Sequence, residues 1–87
     1  MIYKALQKIH VSDAGYLFYC ENVMTGNTNI FPLTRSRAEG YNPVEDAQRW
    51  RDGMLVQRAF PYLDEVEREL LLTGMTQEDW NNFSEEV

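Results

Sequence analysis

Two charge clusters hold the residues whose type and spacing could carry chemistry. Five arginines, Arg35, Arg37, Arg49, Arg51 and Arg58, fall within 24 residues. Arginine presents a planar fork of donors that fits phosphate oxygens. Arg35-Ser36-Arg37 on a loop, with Arg51 and Arg58 two turns apart on a helix, would suit a phosphate-binding surface if the helical pair faced outward. The same side chains would serve equally as solvated charges or as partners for the chain's own acids, since exposed ion pairs are common and weak. A net charge of −6 opposes general affinity for nucleic acid.

The second cluster is acidic. Residues 64–87 contain eight acids against one base, Arg68, for −7, whereas residues 1–63 contain six acids against seven bases, for +1. Asymmetry of this kind marks either a solvated face or a surface that attracts a basic partner. Glu65, Glu69, Glu78 and Asp79, with the neighbouring aromatic residues Trp80 and Phe83, are the candidate protein-binding set. Charge complementarity there would speed association. A basic protein that itself binds nucleic acid is the kind of partner such a surface fits.

Catalytic and metal chemistry have little to draw on. His10 is the only imidazole and Cys20 the only thiol, too few for a zinc site of the usual kind. Glu78-Asp79 and Glu85-Glu86 lack the glycine and the spacing of a calcium loop. Cys20 sits in an apolar run, which reads as a core thiol rather than a nucleophile. Gly26-Asn27 and Gly74 are isolated turn residues, not a phosphate-cradling loop. The expectation is a protein that is not an enzyme and takes neither metal nor cofactor.

The elements that must position these residues can be read from the punctuation. Tyr16 to Val23 is rich in aromatic and β-branched residues and predicts a strand. Ser12-Asp13-Ala14-Gly15 before it and Thr25-Gly26-Asn27 after it predict turns. Thr28 to Leu33 reads as a returning strand, with Pro32 favouring an edge position. Residues 2–11 are ambiguous: Ile2, Leu6 and Ile9 share a helical face, but the run ends at a hairpin turn, which favours a strand.

Asn42-Pro43-Val44-Glu45 predicts a helix start, with Val44, Ala47, Trp50 or Arg51, Met54 and Arg58 tracing one side. Gly53 falls inside that helix, at a cost of about 1 kcal/mol relative to alanine. Phe60-Pro61 ends it, leaving Gln57 and Arg58 on its last turn. Asp64 and Glu67 predict a capping box for a second helix, with Val66, Leu70 and Leu71 inward and Gly74 as its left-handed stop. Thr76 and Asp79 start a third. The fold class is therefore α+β: a small antiparallel β-meander over residues 1–34, then three short helices at 42–60, 64–73 and 76–86, the first packed across the sheet. Trp50, Trp80, Phe83, Tyr41 and Tyr62 are either core or interface residues, and an interface would include self-association.

Trp50, Gly53, Gln57, Ala59-Phe60-Pro61, Leu63, Arg68-Glu69, Leu71, Thr73-Gly74 and Trp80 together resemble a pattern in small uncharacterised proteins of bacteriophages and bacterial mobile elements. There a Trp-x-x-Gly segment leads through Gln-x-Ala-Phe-Pro to Arg-Glu, then to a glycine turn and a late tryptophan. The resemblance covers about the last 40 residues. Some of those proteins place cysteines near the late tryptophan, where this chain has none. The resemblance implies a recurring helical module and a phage origin, and it transfers no activity to any residue.

At 87 residues the chain makes one domain, with a modest core. No apolar run approaches the ~20 residues of a membrane span. The first ten residues lack the apolar centre of a signal peptide, and the single cysteine fits a reducing cytoplasm. The functional expectation is a cytoplasmic interaction protein, of phage accessory or inhibitor type, that docks a basic protein. The alternative is nucleic-acid or nucleotide binding through Arg35, Arg37, Arg51 and Arg58. One stability consequence follows from the helical phase: Leu70→Ala should cost about 2 to 5 kcal/mol, as for a buried leucine. An unchanged thermal midpoint would place Leu70 on the surface.

Overall fold

Alternating side chains, one tight turn and one longer loop build the sheet in a computed structural model that describes residues 5–85, with side chains through Asn82. Strands β1 (Leu6–Ser12), β2 (Gly15–Glu21) and β3 (Thr28–Thr34) form an antiparallel sheet in the order β1-β2-β3. Ser12 pairs with Gly15 across the two-residue turn Asp13-Ala14. Phe18 and Cys20 of the central strand face inward and are fully buried. Phe18 lies between Ile9 and Phe31, and Tyr16 between Val11 and Leu33. Lys8, Tyr19 and Ile30 form a row on the opposite face, as do His10, Leu17 and Pro32. Pro32 is on an edge strand, where its missing amide proton costs no ladder bond.

The ambiguity over residues 2–11 resolves to a strand over the part described, and Ile2 lies outside the described residues. The register of β1 shifts between Leu6 and Lys8. This β-bulge absorbs Gln7, so Leu6 and Ile9, three apart, both point toward the core. A spacing of three is the helical signature, and here a bulge produces it in a strand.

Four helices follow: α1 (Pro43–Arg51), α2 (Val56–Ala59), α3 (Glu65–Thr73) and α4 (Gln77–Glu85). The single helix expected over 42–60 is broken. Asp52 caps α1, and Gly53 takes φ +117, a conformation that L side chains rarely adopt. Asp-Gly is a turn pair, and here it outweighs the helical spacing around it. Met54 therefore lies on a linker, 40% exposed, and Val44 stands out of the core as well. Gln57 and Arg58 do lie on the helix before Phe60-Pro61, and that helix ends at Ala59.

The caps form as the sequence predicts. The Asn42 side chain accepts from the Glu45 amide at 3.3 Å. Asp64 and Glu67 bond reciprocally at the start of α3, at 2.8 and 3.0 Å. Gly74 closes the helix in the left-handed region, φ 71. Thr76 and Asp79 exchange bonds of 3.0 and 3.1 Å at the start of α4.

The helix lying on β1 and β2 is α3, not the first helix as expected. Leu70 and Leu71 are buried, but Val66 is exposed. With both leucines inward, the centre of the buried stripe falls between them, and at about 100° per residue Val66 lies roughly a quarter turn away. Glu67 falls on the stripe instead.

Phe60 joins the helices to the sheet. Fully buried, it meets Phe18 edge-on at 6.2 Å, Trp50 at 6.1 Å and Tyr62 at 6.0 Å, while Phe18 stacks on Phe31 at 4.7 Å. Trp50 is core, Tyr62 half-buried and Tyr41 exposed against Tyr62.

A Cβ at Gly74 would run into the Glu21 carbonyl and stand 2.6 Å from the Asn22 amide nitrogen, whereas one at Gly53 would meet nothing within 4 Å. Gly74→Ala should therefore cost about 2 to 5 kcal/mol, combining left-handed backbone strain with overpacking. Gly53→Ala carries the strain alone and should cost less. Equal losses in chemical denaturation would show that α3 does not approach the sheet this closely.

Candidate functional site

The expected arginine cluster is divided among separate structural tasks. Arg35 donates to the carbonyls of Ser12 and Asp13, at 2.5 and 2.8 Å, and lies 5.5 Å from the Tyr16 ring. It thereby anchors the β1–β2 turn to the end of β3. Arg37 grips both carboxylate oxygens of Glu67, at 2.7 and 2.8 Å, and the Tyr62 carbonyl at 3.0 Å. It ties the loop after β3 to the start of α3. Arg49 pairs with buried Asp46, which also accepts from the Tyr62 hydroxyl at 2.8 Å. Burial, reinforced by that carboxylate, pushes the Tyr62 hydroxyl above its ordinary value. Arg51 and Arg58 are exposed, and neither forms an ion pair among the described residues.

The acidic set also divides. The Asp79 carboxylate accepts from the Thr76 amide at 3.0 Å and from the side chains of Asn29 and Asn22 at 3.1 and 3.2 Å. The Thr76 amide, helped by both asparagines, holds its carboxyl below the usual range. Asp79 thus fastens α4 to the ends of β2 and β3. Glu65 and Glu78 are exposed, and Glu69 is half-buried beside the Thr73 hydroxyl. None of these three forms an ion pair among the described residues. Trp80 is 37% exposed, and the side chain of Phe83 lies outside those described.

Among the described residues, His10 and Cys20 are not brought together. They occupy opposite faces of the sheet, and burial pushes the Cys20 thiol up to about 12, which suppresses the thiolate. Among the described residues, no group of three or more His, Cys, Asp or Glu side chains is placed to hold a metal ion, and no helix is long and apolar enough to cross a membrane.

The surface that the charge pattern does not reveal is apolar. Breaking the expected helix at Gly53 leaves Met54 and Leu55 on an extended linker, at 40% and 58% exposure. Beside them a hollow of about 220 Å³ is floored by Trp50, Val56 and Leu72. It continues on one side into a shallow depression lined by Val56, Leu72, Glu65, Arg68 and Glu69. Through Met54 and Leu55 it also joins a depression lined by Arg49, Asp52 and Arg58. Because they share lining residues, the three make one continuous saddle: the apolar hollow, an acidic end with Glu65 and Glu69 of α3, and a third part with Arg58 of α2 and Arg49 of α1, the latter answered by Asp46. The Asp52-Gly53 pair was the sequence signal for it.

The Arg37–Glu67 clamp gives stability a pH dependence. Its side chains are 42% and 14% exposed, so solvent screening keeps its worth at about 1 kcal/mol or less. Arg37 holds the Glu67 carboxyl below its ordinary value, with the Asp64 amide assisting. In acid the unfolded chain therefore binds the extra proton. The clamp's contribution is complete above the unfolded carboxylate pKa of about 4.3 and is lost as pH falls through the lower folded value. Urea midpoints at pH 6 and pH 3 should differ less in Glu67→Gln than in the natural protein. An identical difference would show that the clamp does not form. No family model, curated protein or solved structure matches this chain, so geometry and charge are what bear on its function.

Proposed function

We propose that this chain is a non-enzymatic, cytoplasmic interaction module that docks a basic protein segment on the outer face of α3. The observation that carries the reading is the acidic end of the saddle: Glu65 and Glu69, without ion pairs among the described residues, border the apolar floor of Val56 and Leu72. Carboxylates steer a basic segment in, and the floor gives its apolar side chains a place to lose water. Glu78, exposed on the first turn of α4, does not line the saddle. An accessory or inhibitor protein of the phage type that the Trp50–Trp80 pattern resembles would use such a surface against a basic, nucleic-acid-binding protein. The alternative, phosphate binding by Arg35, Arg37, Arg51 and Arg58, has less support because Arg35 and Arg37 donate into the fold.

A titration with an amphipathic helical peptide of lysine and leucine, followed by amide chemical shifts, tests the proposal. Shifts should concentrate at residues 56–57 and 65–72. Glu65→Gln with Glu69→Gln should weaken binding about tenfold, as should high salt, which shortens the Debye length to about 3 Å at 1 M. Glutamine spares the first turn of α3 the cation that its dipole disfavours. Shifts confined to the sheet, or affinity indifferent to both changes, would contradict it.

A further inference from the structure

The backbone around the saddle restricts the form an occupant can take. Every residue lining it falls within 49–58 or 65–72, on α1, α2, α3 or the linker between α1 and α2, and none lies on a strand. The linker's polar groups are engaged. The Gly53 and Met54 amides donate to the Trp50 and Arg49 carbonyls at 3.0 and 3.1 Å, and the Leu55 carbonyl accepts from the Arg58 and Ala59 amides at 3.0 and 2.9 Å. An extended segment laid here would take backbone groups out of water without giving them partners. A helix satisfies its own backbone and brings only side chains to the contact. On α3 the side chains lining the saddle are Glu65, Arg68, Glu69 and Leu72. Spaced by three and four residues, they form one stripe about 10 Å long at 1.5 Å rise per residue. Val56, Gln57 and Leu72 line both the acidic depression and the hollow of about 220 Å³ over Trp50, so the hollow opens at the Leu72 end of the stripe. Met54 and Leu55, both exposed, form its rim.

We propose that the hollow is an anchor pocket for a basic amphipathic helix of a partner protein. That helix places one large apolar side chain in the hollow and carries lysine or arginine four and seven residues further along the same face. The inference rests on the reading of the acidic end as a docking surface, and it adds the helical form, the anchor and the spacing. Glu69 and Glu65 stand three and seven residues from Leu72. With the anchor over Leu72, positions one and two turns along the incoming helix come beside them. The order follows from the dipole. Cations that come after the anchor lie toward the C-terminal end of their own helix, where they stabilise it, and that helix then runs antiparallel to α3. Glu65 and Glu69 against Arg68 leave this end a net −1, so its charges orient the segment and the buried anchor holds it. Met54 on the rim is flexible and unbranched, which lets the pocket fit anchors of different shape.

Three alanine- and glutamine-based peptides of about 20 residues, long enough to hold a helix in isolation, test this through amide chemical shifts of the full chain. The first carries one leucine, with lysines four and seven residues after it. The second has alanine in place of the leucine. The third keeps the leucine and moves the lysines to two and five residues after it, on the opposite side of the helix. The first should bind at least about tenfold more tightly than the second, as for burial of a leucine side chain. It should bind about threefold more tightly than the third, as for exposed ion pairs. At matched saturation, shifts at residues 53–55 should accompany the leucine and shifts at 65–69 the lysines. Leu55→Asp changes an exposed rim residue at the N-cap of α2, where aspartate is favoured, so the fold tolerates it. It should bring the first two peptides within about twofold of each other. An alanine peptide that matches the leucine peptide, or a leucine preference that survives Leu55→Asp, overturns the anchor pocket and leaves the acidic docking surface standing. Equal binding of the first and third peptides overturns the spacing and the proposal with it. Binding of the first peptide that ignores Glu65→Gln with Glu69→Gln overturns the acidic docking surface, and absence of shifts with all three overturns both.

Discussion

The rest of the structure depends on how closely the end of α3 approaches the end of β2. At Gly74 the helix backbone comes against Glu21 and Asn22 with no room for a Cβ. The Ala5 amide donates to the Leu71 carbonyl at 2.8 Å, and the Val23 amide to the Thr73 carbonyl at 2.9 Å. The Asn29 side chain reaches the Gly74 carbonyl at 2.6 Å. Orphan carbonyls at a helix end are thus satisfied by the sheet rather than by water. Asn22 completes the joint: its side-chain Nδ2 donates to Asp79, and its side-chain Oδ1 accepts from the Met24 and Thr25 amides. A three-stranded sheet alone is marginal, and this joint fixes the helix that covers it.

Fixing α3 determines what its two sides do. The inner side buries Leu70 and Leu71 and points Glu67 at Arg37. The outer side is left with Glu65, Arg68, Glu69 and Leu72, which share one depression. The break at Gly53 supplies the apolar continuation of that side. On α3 the surface proposed for docking thus takes the side chains that the core leaves out, and its carboxylates are those not committed to caps and clamps. Asp64, Glu67 and Asp79 belong to the fold, leaving Glu65 and Glu69 for that depression and Glu78 exposed on α4.

Local signals were legible in the sequence, and geometry that depends on distant partners was not. The stops and starts at Asn42, Asp64–Glu67, Gly74 and Thr76–Asp79 rest on hydrogen bonds spanning two to four residues, so residue type alone reveals them. The meander was legible from its turn residues and the aromatic and β-branched residues of its strands. The bulge at Gln7 was not, because a strand with an extra residue copies a helical spacing. Val66 was misplaced because two adjacent inward leucines rotate the buried stripe, and the sequence does not say which face the sheet takes. Whether Arg35 and Arg37 serve as a phosphate fork or as partners within the fold was not legible, because their acceptors lie more than 20 residues away in sequence. The apolar saddle was hidden by reading Gly53 as a tolerated helical residue, when Asp52-Gly53 is a chain reversal.

Native-state hydrogen exchange at the amides of Ala5 and Val23 tests most directly whether the α3–sheet joint governs the fold. Both donate to α3, so they exchange only when its C-terminal end leaves the sheet. If the joint holds the structure together, they should exchange with the same opening free energy as the Phe18 amide in the central strand, through global unfolding. Exchange faster than Phe18 by orders of magnitude would show that α3 opens while the sheet persists, and the account built on the Gly74 joint would be wrong.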